Sequence, residues 1–323
     1  MEHHADYDVV IIGSGVTGTG ASIYCGRFGL KTVVIGEKPG GTIILTDDIA
    51  NYPGFTKISG MDLADKIHEH AVANNIEFVE KKVTKIAKCS EGCFRVFVNE
   101  DLYHTKTVIY ATGTEWRKLG IPGENEFTSK GVHYCALCDG PVYKDKVVGI
   151  IGGSDSAAKE ALLMAGYASQ VYLFVRGDKL RAEPINNQKV IENKKITTFA
   201  NIEVLEVLGE KFVNAIKIDK QINNSDIFKL DAIFVNIGHV PIVTLAKEIG
   251  VLVNNKNEII IDKMSKTNIN GFYSAGDVAD TQFKQAITGV AEGVTAAYSA
   301  YHYINENEFI CLHNDEVVKH EEN

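Results

Sequence analysis

Two cysteines separated by two residues, Cys135 and Cys138, are the side chains whose types and spacing are best suited to chemistry. Such a C-x-x-C pair can close into a small disulfide ring, and a thiolate near a helix N-terminus gains reactivity. The alternative is half of a structural zinc site, which needs four ligands. Cys89 and Cys93 would supply the other half, although their C-x-x-x-C stretch is typical of a turn between two strands. We therefore favour a redox dithiol and predict no metal.

The composition bounds the class of protein. The chain has 323 residues, 45% of them hydrophobic and 23% charged, which is typical of a soluble globular protein with two domains. No apolar run is long enough for a membrane span, and the N-terminus lacks the features of a signal peptide. The net charge of −9 argues against a nucleic-acid surface. We expect a cytoplasmic protein with no nucleic-acid or membrane partner.

The first nucleotide-binding signature lies at the start of the chain. An apolar run at 8–12 leads into a G-x-G-x-x-G motif at 13–18, and a second strand at 32–35 is followed by Glu37. This strand, glycine turn, helix, strand and acid form the dinucleotide fingerprint. Its second glycine, Gly15, would let the backbone approach a pyrophosphate at the helix N-terminus. The sequence predicts a dinucleotide site here, with Glu37 on the ribose.

A second copy of this plan occupies 146–175, with the glycine turn at 152–157. Ser154 stands where the second fingerprint glycine is expected, and its side chain would either crowd the pyrophosphate or contact it. No acid follows the second strand, whereas Arg176 and Arg181 do. Arginines in place of the acid favour a 2′-phosphate, hence NADPH rather than NADH, although two ordinary surface arginines remain the alternative.

The two copies define the architecture. We predict an α/β protein with two Rossmann-like, three-layer (ββα) nucleotide-binding domains, the second inserted in the first. A strand and turn at 271–277 and a small-residue helix after it would complete the first domain. The predicted boundaries are 1–116 with 245–323 for the first domain and 117–244 for the second, which carries the C-x-x-C pair.

These motifs resemble the low-molecular-weight thioredoxin reductase family of flavoprotein disulfide reductases. The resemblance covers nearly the whole chain, and the motifs occur in the family's order and spacing. They are Gly13-x-Gly15-x-x-Gly18, Pro39-Gly40-Gly41, Asn51-Tyr52-Pro53-Gly54, Ala111-Thr112-Gly113, Cys135-Ala-Leu-Cys138-Asp139-Gly140, Gly152–Ala157, Gly276-Asp277-Val278 and Gln285-Ala286.

The resemblance implies FAD in the first domain, a nicotinamide cofactor in the second and a homodimer. Electrons would pass from NADPH through FAD and the disulfide to a thioredoxin-like protein. Cys138 would face the flavin, Cys135 would attack the partner protein, and Asp139 would be the general acid for the leaving thiolate. For Asp139, a helix-capping role is the alternative.

The resemblance also implies two sets of cofactor-binding residues. The FAD set is Gly13, Ser14, Gly15, Thr17, Gly18, Glu37, Gly40, Gly41, Thr42, Asn51, Val83, Ala111, Thr112, Gly113, Gly276, Asp277, Gln285 and Ala286. The NADPH set is Gly152, Gly153, Ser154, Asp155, Ser156, Ala157, Arg176, Arg181 and Gly238.

Departures from the family pattern leave the electron donor open. Where the family usually has His-Arg-Arg, this chain has Val175-Arg176-Gly177, so one cation and one imidazole are missing. NADH, a ferredoxin or a deazaflavin are therefore alternatives to NADPH, and a glutaredoxin-like or peroxide-reducing protein is an alternative acceptor. The sequence also leaves open whether His133 and Tyr134 tune the dithiol, touch the partner or only pack.

Overall fold

The structure of the chain is a computed structural model, which describes residues 6–46, 49–89 and 92–309. Within these ranges, no helix combines the length and the apolar character needed to cross a membrane. The descriptions below concern these residues.

The chain divides into two compact units. Unit 1 comprises residues 1–114 and 241–323, and unit 2 comprises residues 115–240, so the chain enters and leaves unit 2 once each.

The strands and helices follow in chain order. The strands are β1 (Tyr7–Ile12), β2 (Thr32–Ile35), β3 (Glu77–Val79), β4 (Lys85–Lys88), β5 (Phe94–Val98), β6 (Asp101–Tyr110), β7 (Thr114–Trp116), β8 (Val132–His133), β9 (Val147–Ile151), β10 (Gln170–Val175), β11 (Ile196–Ala200), β12 (Val204–Gly209), β13 (Val213–Ile222), β14 (Ser225–Lys229), β15 (Ala232–Val235), β16 (His239–Pro241) and β17 (Phe272–Ser274). The α-helices are α1 (Val16–Arg27), α2 (Gly60–Val72), α3 (Ala136–Asp139), α4 (Asp155–Tyr167), α5 (Pro184–Glu192), α6 (Thr244–Glu248) and α7 (Ala286–Glu306). Short 3₁₀ helices lie at Gly41–Leu45, Gly140–Tyr143 and Gly276–Val278.

Unit 1 is built on a sheet in the order β3-β2-β1-β6-β5-β4, with β17 beside the C-terminal end of β6. Strand β1 is parallel to β2 and β6, whereas β4 and β5 form an antiparallel hairpin. The register places Ile12 beside Ile35 and Tyr110, so the carboxyl ends of these strands share one edge of the sheet. In open α/β sheets, nucleotides bind outside this edge.

Glycines bring two helices of unit 1 close together. Helix α1 packs against α7, and a Cβ atom on Gly20 would lie 3.0 Å from the Val290 side chain. A Cβ atom on Gly293 of α7 would lie 2.5 Å from the backbone oxygen of Thr17. Small residues are therefore required along this contact, which explains the alanine- and glycine-rich sequence of both helices.

Unit 2 has a parallel sheet in the order β11-β10-β9-β15-β8 and a separate antiparallel sheet, β12-β13-β14. Alanines of α4 pack on one face of the parallel sheet in an apolar cluster. Residues of β12 and β13 form a second cluster with the other face. Unit 2 is thus a three-layer arrangement of sheet, sheet and helices.

The predicted α/β class with parallel, Rossmann-like sheets is confirmed. Several predicted elements match closely, because continuous apolar strands buried on both faces are easy to recognise between glycine turns. For example, β2 has the bounds 32–35 expected from the sequence. All four of its residues are buried.

Candidate active site

The structure joins Cys135 and Cys138 in a disulfide, with their Cα atoms 5.4 Å apart. Cys135 is the N-cap residue of α3, and its sulfur accepts a hydrogen bond from the backbone N–H of Cys138 at 3.1 Å. Cys135 is 9% exposed, whereas Cys138 is an exposed residue. The two cysteines therefore differ in burial.

The zinc alternative is not supported. Cys135 and Cys138 are bonded to each other, and the part of the chain that the structure describes contains no group of three or more potential metal ligands. Cys89 and Cys93 lie in the turn between β4 and β5, as their spacing predicts, and a backbone hydrogen bond of 2.9 Å joins them.

Asp139 contacts a histidine rather than capping a helix. It is the last residue of the short helix α3 and holds the N-cap position of the 3₁₀ helix Gly140–Tyr143, but its side chain makes no capping hydrogen bond there, so the capping alternative was wrong. Its Oδ2 atom lies 3.1 Å from Nδ1 of His133, and the side chains of Asp139 and His133 are 42% and 8% exposed. The carboxyl thus belongs to the residue that follows Cys138 and is partly open to solvent.

Tyr134 has a structural contact. Its hydroxyl donates to Glu124 at 2.8 Å, and Glu124 also accepts the backbone N–H groups of Leu119 and Gly120. Because Glu124 is 1% exposed, this cluster fixes the segment that leads to the dithiol. No pattern in the sequence indicated this role for Glu124.

Sequence reasoning also missed Glu160, a carboxyl on the buried face of α4. Its Oε1 atom accepts the backbone N–H of Ala136 at 3.4 Å, next to Cys135, and the Asn236 side chain also bonds to it. Its Oε2 atom is buried without a hydrogen-bond partner among the described residues. Burial raises the pKa of Glu160 to about 7. In the sequence, the only feature that could have indicated Glu160 is its position as an acid among the alanines of α4.

The raised pKa of Glu160 predicts that the stability of the protein depends on pH. From the usual value of 4.5 to about 7, the unfolded chain loses this proton while the folded chain keeps it, so the folded state loses stability as pH rises through this range. The change amounts to roughly 3 kcal/mol. Glutamine cannot ionise, so Glu160→Gln should not show this loss. We therefore expect the unfolding free energy of Glu160→Gln, relative to that of wild type, to rise by about this amount from about pH 4.5 to about pH 8. Urea unfolding of the oxidised protein at a series of pH values measures these unfolding free energies.

The matched control for this measurement is Glu210→Gln, which changes an exposed glutamate of the same unit. It should follow the wild-type curve at every pH. If Glu160→Gln also runs parallel to wild type, Glu160 is ionised in the folded protein and its pKa is not raised.

The first glycine loop is shaped for a phosphate group. A Cβ atom on Gly13 or on Gly18 would overlap a backbone carbonyl, that of Ala111 or of Gly13 respectively. Gly15 differs, because its Cβ atom would meet nothing closer than 3.7 Å, the Cα atom of Gly41. The space in front of Gly15 is therefore open to a ligand, at the N-terminus of the twelve-residue helix α1.

A buried hydroxyl in the same loop is consistent with a ligand. Ser14 is 7% exposed, and its Oγ atom has no hydrogen-bond partner among the described residues. Its backbone carbonyl accepts the N–H of Gly40 at 2.9 Å, which ties the first loop to the Gly40–Gly41 turn. A buried hydroxyl without a partner is costly unless a ligand or water satisfies it.

The structure brings distant members of the predicted FAD set together. Asn51 donates to Gln285 at 2.8 Å, although 234 positions separate them. Gln285 is the N-cap of α7, and Thr17 of α1 lies beside Gly276, whose Cβ atom would be 2.6 Å from its hydroxyl. The start of α7 and the first glycine loop thus meet at the same place.

The remaining members of this set differ in exposure. Glu37 and Thr42 are exposed, whereas the Val83 side chain belongs to the core of unit 1. Thr112 donates to the carbonyl oxygen of Ile242 at 2.8 Å, and Gly113 has a φ of +65°. The other members are the turn residue Ala111, the 3₁₀-helix residue Asp277 and the first residue of α7, Ala286.

The second glycine loop lies in unit 2, before α4. Arg181 donates its backbone N–H to the carbonyl oxygen of Gly153 at 2.8 Å. The backbones of Arg181 and Ser154 form an isolated parallel β-bridge. A Cβ atom on Gly177 would be 3.8 Å from Nη2 of Arg181. The arginine is therefore held beside the loop, and Ser154 is exposed there.

Other members of the second set have structural contacts. The Asp155 carboxylate accepts the N–H of Glu183 and the amide of Asn186, both at 2.8 Å, and pairs with Lys159. Those bonds anchor the start of α5. A Cβ atom on Gly152 would overlap the Asn236 carbonyl, whereas Ser156, Ala157, Arg176 and Gly238 lie at or near the same edge of the sheet.

Two glycine loops at the carboxyl edges of two parallel sheets, with a disulfide beside the second, define a nucleotide-dependent disulfide oxidoreductase. The family model for pyridine nucleotide-disulphide oxidoreductases matches residues 7–293. The chain is 37% identical over 304 residues to the thioredoxin reductase of Treponema pallidum, an alignment that covers 93% of this chain and 98% of that protein.

Solved structures agree. The crystal structure of Lactococcus lactis thioredoxin reductase matches with a TM-score of 0.89 at 34% identity, over 94% of this chain and 100% of that one. A ferredoxin-flavin thioredoxin reductase from Clostridium acetobutylicum matches with a TM-score of 0.51 at 30% identity, over 93% and 99% of the two chains.

The chain therefore belongs to the pyridine nucleotide-disulphide oxidoreductase family. It is an oxidoreductase, a flavoprotein with a disulfide redox centre, and family membership implies FAD and a pyridine nucleotide. The resemblance to low-molecular-weight thioredoxin reductases is confirmed.

Proposed function

We propose that this chain is a thioredoxin-disulfide reductase that passes electrons from NADPH through FAD and the Cys135–Cys138 disulfide to a thioredoxin-like protein. The observation that carries the proposal is the disulfide itself, closed at the start of α3 with Cys138 exposed and Asp139 beside it. Relatives and solved structures over nearly the full length support the acceptor.

The FAD site is proposed in unit 1. The open space at Gly15 and the unpaired hydroxyl of Ser14 fit a pyrophosphate, and Glu37 is exposed after β2, where a ribose would lie. Asn51 and Gln285 hold each other at the start of α7. When bound, FAD accepts an electron pair from a nicotinamide and delivers it to a disulfide.

The chain's own residues carry out the exchange with the partner. A thiolate of the reduced pair attacks the partner's disulfide, and Asp139, the residue after Cys138, protonates the thiolate that leaves. The remaining cysteine then attacks the mixed disulfide and closes the Cys135–Cys138 bond again. We propose all three residues, Cys135, Cys138 and Asp139, as catalytic.

NADPH is the proposed donor, bound at the second glycine loop. Arg181 beside Ser154 and the neighbouring Arg176 would hold the 2′-phosphate. The absence of the usual His-Arg-Arg favours a second candidate, a reductase that takes electrons from a ferredoxin. A structure that bears that name covers nearly the whole of this chain.

An anaerobic titration distinguishes these donors. We expect NADPH to bleach the visible flavin absorbance faster than NADH, and Arg176→Gln to weaken NADPH alone by about 10- to 100-fold, because a phosphate contact contributes about 1–3 kcal/mol. Lys211→Gln, an exposed cation away from the loop, is the matched control. Bleaching by neither nucleotide, in protein that dithiothreitol reduces, would contradict NADPH and favour the ferredoxin.

We further propose that the protein is a homodimer, as the resemblance implies, and that it is cytoplasmic. The reducing chemistry of the dithiol suits a cytoplasmic compartment. Sedimentation of the purified holoprotein tests the dimer.

A further inference from the structure

His133 lies two residues before the dithiol and is built into the protein interior. It ends the short strand β8 and is 7% exposed, and its ring stacks on Phe234 with centroids 5.3 Å apart. Both ring nitrogens have partners. Nδ1 lies 3.1 Å from Asp139 Oδ2, and Nε2 lies 2.8 Å from the hydroxyl of Tyr143.

This arrangement suits either charge state of the ring. A neutral imidazole that donates from Nδ1 to the Asp139 carboxylate accepts at Nε2 from the Tyr143 hydroxyl. An imidazolium donates from both nitrogens, and the Tyr143 hydroxyl can then accept, because it is both a donor and an acceptor. A proton can therefore enter or leave the pair without moving any heavy atom.

We propose that Asp139 works as a coupled pair with His133, which stores the proton for disulfide exchange and orients the carboxyl, while Tyr143 fixes the ring. His133 is a positioning residue, since it acts through Asp139. The proposal rests on the proposed disulfide exchange and adds to it a residue that the catalytic set does not contain.

The two side chains are in hydrogen-bond contact and can hold one proton between them. The other ionisable groups on neighbouring elements have partners of their own. Asp231, before β15, pairs with Lys146, and Glu160 of α4 bonds to the backbone of α3.

The proton balance of the exchange then closes. The enzyme thiolate attacks the partner's S–S bond, a mixed disulfide forms, and the leaving partner thiolate takes the proton of the Asp139–His133 pair. The second enzyme thiol gives its proton to the empty pair, and its thiolate attacks the mixed disulfide. The second partner thiolate leaves with that proton. The dithiol is oxidised to a disulfide, and the partner's disulfide gains two electrons and two protons.

The test compares two variants of His133. His133→Asn places an amide N–H near the position of Nδ1 and keeps the hydrogen bond to Asp139, but it cannot take a proton. His133→Ala removes both the bond and the proton. His302→Asn is the matched control, because His302 is a half-exposed histidine that pairs with Glu306 in unit 1.

The measurement is the pH dependence of single-turnover disulfide reduction by dithiothreitol-reduced enzyme freed of excess reductant. The probes are bis(2-hydroxyethyl) disulfide, whose leaving alkyl thiolate takes up a proton near neutral pH, and an oxidised thioredoxin. We expect wild type and His302→Asn to lose rate at alkaline pH, where the pair has no proton to give to the leaving thiolate. Both His133 variants should lack this loss of rate, which we call the pH limb, and should be slower near neutral pH by about 10- to 100-fold.

A wild-type rate and pH profile in His133→Asn would overturn proton storage by His133. The same change of rate and pH profile in His302→Asn as in the His133 variants would overturn the assignment of the pH dependence to the Asp139–His133 pair. Melting temperature and disulfide content of each variant show whether it has folded. The small probe does not depend on the partner or the donor. If wild type fails with thioredoxin but reduces the small probe with the pH limb intact, the acceptor is wrong and the His133 proposal stands.

Discussion

Replacing either Cys135 or Cys138 by serine is expected to lower turnover with a protein disulfide by roughly a thousandfold or more. A hydroxyl is not deprotonated at neutral pH and cannot form or break a disulfide, so a single cysteine cannot complete a cycle. Steady-state reduction of thioredoxin measures the loss. Cys89→Ser is the matched control, since Cys89 lies in a hairpin turn of unit 1, and it should keep wild-type turnover.

The two variants also reveal which sulfur attacks the partner. The resemblance implies that Cys135 attacks the partner and that Cys138 faces the flavin. We therefore expect Cys138→Ser, which retains Cys135, to trap a mixed disulfide with thioredoxin more readily than Cys135→Ser. Mass spectrometry of the non-reduced mixture identifies the bond. Trapping only by Cys135→Ser would show that Cys138 is the attacking sulfur.

Substituting alanine for Gly15 is expected to weaken FAD binding by about 10- to 100-fold without loss of the fold. Gly15 has a φ of −71° and a ψ of 174°, which alanine adopts freely, and the added methyl group would meet no protein atom closer than 3.7 Å. The methyl group would instead occupy the space where the backbone must approach the pyrophosphate. Flavin fluorescence during titration of the apoprotein measures the dissociation constant.

Gly166→Ala is the matched control for this prediction. Gly166 lies in α4, and a Cβ atom there has nothing within 4 Å, so alanine should leave FAD binding unchanged. The melting temperature of each apoprotein separates loss of binding from loss of folding. Wild-type FAD affinity in Gly15→Ala would mean that the pyrophosphate does not pass in front of this residue.

The sequence alone determined the parallel strands, the two glycine loops and the dithiol. Each of these depends on neighbours in the chain. A buried parallel strand is a continuous apolar run, a phosphate loop needs glycines at fixed spacing, and a redox pair needs two cysteines two residues apart. The match between predicted and observed bounds of β2 follows from this local origin.

Only the tertiary structure decided which polar groups meet. Asn51 and Gln285 are 234 positions apart and share a hydrogen bond. Glu160 reaches the backbone beside Cys135 because α4 packs against α3, and its burial raises its pKa. Even His133 and Asp139, six residues apart, show no pattern that predicts their contact. Hydrogen bonding and desolvation depend on distances of a few ångströms between packed elements, and residue spacing alone does not encode those distances.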